Sequence, residues 1–355
     1  MNYKQEESDF VRSRIDKDSF NVIAKKLNDK FHNGNNIRTY HSVRQHYRTR
    51  LKSPSSKRRY FVQNTLQTQE FTRQGIPDER QPVEDLVSER IVKYKIKHDH
   101  KTIDPVQIKV NIDGVIGIAH FGDPHIDDDG TDIEMLFDHA EIVNNTDGMM
   151  AGNVGDNQNN WVGRLSRLYG EQSTSAQESW QLTEHFVTSV PWLYMIGGNH
   201  DCWSGAGDPL EWMIGREVYT RHGSRLCLNF PNGRTVIVNI RHQWRGNSQW
   251  NSVHAISKAA QMGWDDDVLV GGHTHISGYQ VVKDPKNGTI SHCLQVASYK
   301  IHDEYAERLG LVDRSIFNCP VTIIDPDATS PMNLVRVCFT PEEGADYLNW
   351  KRAKK

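Results

Sequence analysis

A chain of 355 residues with 37% hydrophobic content can bury a sizeable core and has room for two or three domains. No apolar run approaches the roughly 20 residues of a membrane helix, and Met1-Asn2-Tyr3-Lys4-Gln5-Glu6 has no signal-peptide core, so no membrane association is expected and the cytoplasm is the expected location. The five cysteines (Cys202, Cys227, Cys293, Cys319, Cys338) are odd in number, widely spread and form no C-x-x-C pair, so neither a disulfide framework nor a zinc ribbon is indicated, and the net charge of -3 divides unevenly along the chain.

Residues 1–60 carry 15 Lys and Arg against 6 Asp and Glu, whereas the remainder carries 27 against 39. A basic head on an acidic body reads either as a surface for a polyanion, of which nucleic acid is the commonest, or as a solvated tail. Its patterning favours a folded head. Ser19 is placed to cap a helix in which Phe20, Ile23, Ala24, Leu27 and Phe31 recur at helical spacing, and an earlier short helix holds Phe10 and Ile15. After the turn-rich His32-Asn33-Gly34-Asn35-Asn36, Thr39 caps a last helix that buries Val43, Tyr47 and Leu51 and offers Arg44, Gln45, Arg48 and Arg50 on its other face.

Three short helices with a basic third one resemble the Myb/SANT or homeodomain-like helix-turn-helix class. That resemblance implies DNA as a partner, with Arg44, Gln45, Arg48 and Arg50 at base edges or phosphates. The other reading is a small helical bundle for protein contacts.

Ser53-Pro54-Ser55-Ser56-Lys57-Arg58-Arg59 has the composition of an exposed linker, so the helical domain is expected over 1–52. Residues 53–104 read as linker and spacer, with a breaker at Gly75-Ile76-Pro77 and a charged helix from Val83 to about Lys97. From Pro105 strand and helix signals alternate: strands at Val106 to Val110, Val115 to His120, Gly148 to Val154, Val190 to Ile196, Thr235 to Ile240 and Val268 to Val270, and helices at Ile133 to Val143 and Ser175 to Val187. This rhythm predicts an α/β sandwich over 105–340 with its site along one edge of the sheets, followed by a tail, 341–355.

Polar motifs follow five of these strands: Gly122-Asp123-Pro124-His125, Gly155-Asp156-Asn157, Gly197-Gly198-Asn199-His200-Asp201, the isolated His242, and Gly272-His273-Thr274-His275. Asp123 and His125, like His273 and His275, are two residues apart, and an extended segment points such a pair to one side. Gly155 lets the backbone turn sharply beside Asp156, and Asn199 offers a neutral amide oxygen. Carboxylates, imidazoles and an amide in this number suit two divalent cations close together.

The set resembles the calcineurin-like metallophosphoesterase superfamily, whose blocks D-x-H, G-D, G-N-H-[DE], a lone H and G-H-x-H occur here in order between about residues 115 and 300. The resemblance implies a four-layer α/β/β/α sandwich, here preceded by a small all-α helix-turn-helix domain. It further implies one metal held by Asp123, His125, Asp156 and His275, a second held by Asp156, Asn199, His242 and His273, and Asp156 bridging ions about 3.5 to 4 Å apart that activate a shared water. By the same resemblance His200 would face the substrate as acid or charge stabiliser, and Asp201 would either orient His200 or cap the loop.

In the phosphoprotein-phosphatase branch the second block continues G-D-x-x-D-R-G, whereas here Asn159, Asn160 and Trp161 stand in those places. The sequence therefore resembles the double-strand-break-repair nuclease and other phosphodiesterase branches more closely. Arg164, Arg241, Arg245 and Asn247 are candidates for holding the substrate phosphate. Mn²⁺ is the expected metal, with Fe²⁺, Zn²⁺ or Mg²⁺ as alternatives. The expected function is a metal-dependent DNA nuclease targeted by its N-terminal module. The alternative is a phosphatase or phosphodiesterase acting on phosphoproteins or small phosphate esters.

Overall fold

The computed structural model describes residues 3–51, 81–99, 104–202, 209–246, 248, 250–302, 307–308, 310 and 315–354. The expected linker Ser53 to Arg59, the breaker Gly75 to Pro77 and Asn247 lie outside these residues. The chain divides into two compact units, 1–86 and 87–355. Among the described residues no helix is long and apolar enough to cross a membrane.

The first unit has three helices, α1 (Gln5–Arg14), α2 (Phe20–Phe31) and α3 (Tyr40–His46), with α3 continuing into a π-helical turn, Tyr47–Leu51. Ser19 sits at the N-cap of α2 without a side-chain bond, whereas Thr39 Oγ1 accepts from Ser42 N at the head of α3. Val11, Ile23, Ala24, Leu27 and Val43 close the core, with Phe10, Phe20, Phe31, Tyr47 and Leu51 packed around them. A core this small is clamped electrostatically: the buried Glu7 carboxylate accepts from Arg38 Nε and Nη2, both at 2.8 Å, and pairs with His32 at 2.7 Å. Helix α4 (Val83–Asp99) has acidic residues in its first turn, and its described side chains are exposed.

The second unit is built on two six-stranded sheets. The strands of the first are β2 (Ile116–Phe121), β3 (Met149–Asn153), β4 (Trp192–Ile196), β5 (Tyr219–Thr220), β11 (Val321–Ile324) and β12 (Val335–Cys338), in the order β12-β11-β2-β3-β4-β5. Those of the second are β1 (Val106–Lys109), β6 (Gly223–Asn229), β7 (Thr235–Arg241), β8 (Val268–Gly271), β9 (Gly278–Lys283) and β10 (Ile290–Gln295), in the order β1-β6-β7-β8-β10-β9. The site is carried by β2, β3 and β4, mutually parallel in the first sheet, and by β7 and β8, parallel in the second.

Side-chain alternation sends Ile116 and Ile118 of β2 inward against Leu226, Val236, Val238 and Val268 of the facing sheet. It sends Ala119 and Phe121 outward, where helices α5 (Ile133–Asn144) and α6 (Ala176–Ser189) cover the first sheet. A helix over His254–Gln261 covers the outer face of the second through Ile256 and Ala260 against Leu269 and Cys293. The layers are therefore α/β/β/α.

The sequence reading missed β5, β6, β9, β10, β11 and β12. The expected tail 341–355 is corrected as well. Residues Pro341–Ala353 form a helix whose Leu348 and Ala345 are buried in the core of the first sheet, and Arg352 Nη1 donates to the carbonyl of Val115 at 3.1 Å. Its basic end looks solvated in sequence, but its apolar stripe closes the outer layer.

Candidate metal centre

Each motif begins where a parallel strand ends, so residues distant in sequence meet along one edge of the two facing sheets. Asp123 and His125 follow β2, Asp156 follows β3, Asn199 and His200 follow β4, His242 follows β7, and His273 and His275 follow β8. The loops achieve this by left-handed backbone rather than by the extended geometry expected from the i, i+2 spacing. His125 (φ 39°), Asp156 (55°), His273 (72°) and His275 (54°) are four of only six non-glycine residues with positive φ among those described. Such conformations cost on the order of 1 kcal/mol each and persist where surrounding structure enforces them, typically at functional sites.

Two glycines allow the approach. A Cβ on Gly198 would lie 2.0 Å from Asp156 Oδ1, and one on Gly272 would lie 2.4 Å from Asp123 Oδ1. The carboxylates are thereby packed against bare backbone.

Two groups of donor atoms result, His125 with Asp156 and His200, and Asp156 with His242 and His273, each within 4.8 Å, and Asp156 belongs to both. Asp156 Oδ1 accepts the main-chain N–H of His200 (2.8 Å), and Oδ2 lies 3.1 Å from His242 Nε2. The Nδ1–H of His242 donates to the carbonyl of Val154 at 2.8 Å, which turns Nε2 toward Asn199 Oδ1 (3.0 Å) and His273 Nδ1 (3.1 Å). On the other side, the Nε2 atoms of His125 and His275 lie 3.2 Å apart, and His275 Nε2 is 3.5 Å from Asp123 Oδ2. Asp123 Oδ2 also accepts the main-chain N–H of His273 at 2.6 Å.

The donor set fits divalent cations. It crowds lone pairs at hydrogen-bond distance with too few protons to share, and Asp123 Oδ1 and His125 Nδ1 are buried without a hydrogen-bond partner among the described residues. The electrostatics agree. Burial raises the Asp123 carboxyl well above the usual carboxylate range, and the Asp156 charge adds to this against His242. Burial acts the same way on Asp156, but His242, His200 and His125 around it hold its carboxyl low. Burial alone would lower His242, yet Asp156 and Asp123 push its imidazole up to about 10. In the protein by itself, a proton on His242 offsets the carboxylate charge.

His200 is oriented by main chain. Its Nδ1–H donates to the carbonyl of Asn159 at 2.6 Å, and its ring meets His125 and Trp161 edge to face, at 5.0 and 5.4 Å between centroids. Asp201 is corrected from a catalytic role. Its buried carboxylate accepts three main-chain N–H groups, from Asp156 (2.7 Å), Gly198 (2.9 Å) and Asn157 (3.1 Å). Of the two readings of Asp201, the geometry gives loop capping, and the cap joins the β3 loop to the β4 loop.

The arginines are not drawn into this cluster. Arg241 immediately precedes His242, so alternation turns it to the opposite face, where its guanidinium lies over Trp244 (5.3 Å) and Trp264 (5.0 Å). Arg164 is exposed on a 3-10 helix, Gly163–Gly170, and Arg245 is exposed three residues beyond His242.

Sequence reasoning overlooked the supports. Buried Asp127 accepts the N–H of Asn159 at 2.7 Å, Asn160 Nδ2 donates to the carbonyl of His200 at 2.8 Å, and Ser298 Oγ donates to the carbonyl of Asp123 at 2.7 Å. Lys300 brings a cation close enough to disfavour charge on His125 and pairs with Asp128 at 3.0 Å. A second aspartate two residues past the D-x-H block was the available signal for Asp127; the main-chain contacts leave none. Buried histidines outside the motifs meet hydroxyls, His120 those of Tyr194 and Thr322 and His139 that of Tyr299, while His292 meets Tyr279 at Nδ1 and leaves its buried Nε2 without a hydrogen-bond partner among the described residues.

No protein-family model matches the sequence, and no curated protein matches it. Among solved structures the chain is similar to Vps29 complexed with Zn²⁺ from Entamoeba histolytica, at 13% identity over 63% of this chain and 97% of that one, with a TM-score of 0.32. It is also similar to a 5'-nucleotidase precursor from Thermus thermophilus (13% identity, 68% and 58% covered, TM-score 0.33) and to a hypothetical protein from the same organism (13%, 64% and 100%, 0.35).

Proposed function

We propose that the chain is a calcineurin-like metallophosphoesterase that hydrolyses phosphodiester bonds in DNA, with the three-helix unit, a helix-turn-helix-like module, binding the substrate. The observation that carries this reading is the meeting of Asp123, His125, Asp156, Asn199, His242, His273 and His275 from five strand ends, with Asp156 common to both donor groups. In this assignment Asp123, His125, Asp156 and His275 would hold one divalent ion and Asp156, Asn199, His242 and His273 the other, while His200, although it belongs to the first donor group, is assigned to the substrate. Mn²⁺ suits the mixture of imidazole, carboxylate and amide, with Fe²⁺, Zn²⁺ or Mg²⁺ as alternatives. When bound, such a pair supplies the charge that activates water and neutralises phosphate oxygens.

The chain's own residues do the rest. His242, fixed in one tautomer by Val154, and Asp156, pinned by the N–H of His200, keep ligand atoms from reorienting. His200, its Nδ1–H spent on Asn159, acts through Nε2 as the group that protonates the leaving oxygen or stabilises the charge developing on the phosphoryl group. In the three-helix unit Gln45, Arg48 and Arg50 are exposed and Arg44 is half-buried over Tyr40 at 5.8 Å, a polar and cationic surface suited to a phosphate backbone.

Plasmid and single-stranded DNA incubated with the protein and Mn²⁺ test the proposal: cleavage that a chelator abolishes is expected. The commitment of Arg241 to two indoles leaves the cluster poor in arginine, which favours a second reading, hydrolysis of small phosphate esters or phosphoproteins. Rapid turnover of p-nitrophenyl phosphate without cleavage of DNA would select that reading. Turnover of neither substrate would overturn both.

A further inference from the structure

Beside the donor cluster lies an open groove of about 520 Å³ that reaches it through Gly272 and His273. Its wall runs from Gln243 and Trp244, past Ser248, Asn251, Ser252 and His254, to Thr274 and Gln295, and among the described residues it contains no Asp, Glu, Lys or Arg. That is a sharp contrast with the carboxylates next to it. Many of these polar side chains are unspent. Gln243, Ser252, His254 and Thr274 make no side-chain hydrogen bond among the described residues, although the inward-facing Gln295 donates to the carbonyl of Gly272 at 2.6 Å. On the loop that supplies Ser248 and Asn251 to the wall, the main-chain N–H of Trp250 donates to Ser248 Oγ at 3.2 Å, and Trp250 is 93% exposed, the highest exposure of any large apolar residue described.

Each property narrows the occupant. An acidic peptide or the flanking phosphates of a duplex call for cations, and the described wall offers none. An acyl chain wants an apolar lining, and this one is half amide, hydroxyl and imidazole. Neutral donors and acceptors set beside an exposed indole suit a flat, polar, uncharged ring system that both stacks and hydrogen-bonds. We infer that the groove receives the nucleoside attached to the scissile phosphate, unpaired, with Trp250 stacking on its base and Gln243 and Thr274 facing its polar edges. The inference rests on the phosphoesterase reading of the adjacent cluster and names the part of the substrate that this reading leaves open. The nucleoside enters this groove unpaired, from a chain end or from a locally opened strand.

Two measurements on the full chain with Mn²⁺ test it. The first is binding, read from quenching of tryptophan emission by thymidine 5'-monophosphate and, separately, from competition by inorganic phosphate. Trp250→Ala, and independently Gln243→Ala with Thr274→Ala, are expected to weaken thymidine 5'-monophosphate at least tenfold and phosphate less than twofold. The second is turnover of thymidine 5'-p-nitrophenyl phosphate against methyl p-nitrophenyl phosphate. The variants are expected to lose at least tenfold in kcat/KM on the nucleoside ester and to match wild type on the methyl ester. Equal effects on both ligands and both esters, or no effect on any, overturn the groove assignment while leaving hydrolysis intact. If wild type turns over neither ester, the phosphoesterase reading fails, and the nucleotide-to-phosphate comparison still decides whether the groove binds a nucleoside.

Discussion

The imidazole of His200 hangs from the main chain of Asn159, Nδ1–H to carbonyl at 2.6 Å, and Asn159 is itself held by its N–H on the buried carboxylate of Asp127 at 2.7 Å. A backbone carbonyl can accept a proton in a hydrogen bond but cannot take it, so it fixes the tautomer of His200 without adding a negative charge beside the donor cluster. In a chain with Asn159 in place of an acidic partner, this contact is what aims the ring.

His200→Ala is expected to lower kcat by roughly 100- to 10,000-fold, the usual range for a positioned acid or base, with bound metal near wild type. Metal analysis and steady-state kinetics on the same preparation check it. Loss of metal along with activity would make His200 a ligand instead.

Asp156→Asn preserves shape and the contact with the N–H of His200 but removes the charge common to both donor groups. Metal content is expected to fall while circular dichroism stays unchanged. Retention of full metal content would contradict the bridging assignment.

Gly272→Ala brings a methyl group to within 2.4 Å of Asp123 Oδ1 and 2.7 Å of Val154 Cγ2. Neither the buried carboxylate nor the packed valine has room to retreat, so metal affinity is expected to drop together with a stability loss of about 1 to 3 kcal/mol. Calorimetry and metal titration read the two effects separately.

The Glu7 clamp gives the three-helix unit a pH dependence. Burial would raise this carboxyl, but hydrogen bonds from Arg38, the Lys4 N–H and His32 outweigh it and bring the value down from 4.5 to about 2. A depressed carboxylate contributes stability that is complete above its unfolded-state value near 4.5 and is lost as pH falls through about 2. Hydrogen exchange of α1 to α3 amides in the full chain is expected to accelerate over that interval, and Glu7→Gln is expected to flatten the response and cost about 3 kcal/mol.

Charge reversal at Arg48 and Arg50 is expected to weaken DNA binding uniformly across sequences. The slope of log K against log salt should become shallower by about 0.9 for each phosphate that is no longer neutralised. An unchanged slope would separate the three-helix unit from DNA.

Legibility in the sequence followed burial. Strands β2, β3, β4, β7 and β8 were readable because each is a short apolar run that ends at a polar motif, as buried parallel strands do. Strands β9 and β10 were not, since Tyr279, Gln280, His292 and Gln295 interrupt them, and β11 and β12 lead into none of the polar motifs that mark the others. The C-terminal helix escaped because Gly344 lies within it and basic residues end it. At the site, motif spacing marked the candidate ligands but gave the wrong reason for their convergence, which is left-handed backbone at four of them. The supports from Asn159 and Val154 act through main-chain carbonyls, which every residue carries and no side-chain pattern reveals.

The central claim is that both donor groups must be filled for one act of hydrolysis. The direct measurement is the rate of DNA cleavage against Mn²⁺ bound per chain in a single titration. Activity that appears only as the second equivalent binds is the predicted result. Full activity at one equivalent, or none with both bound, would contradict it.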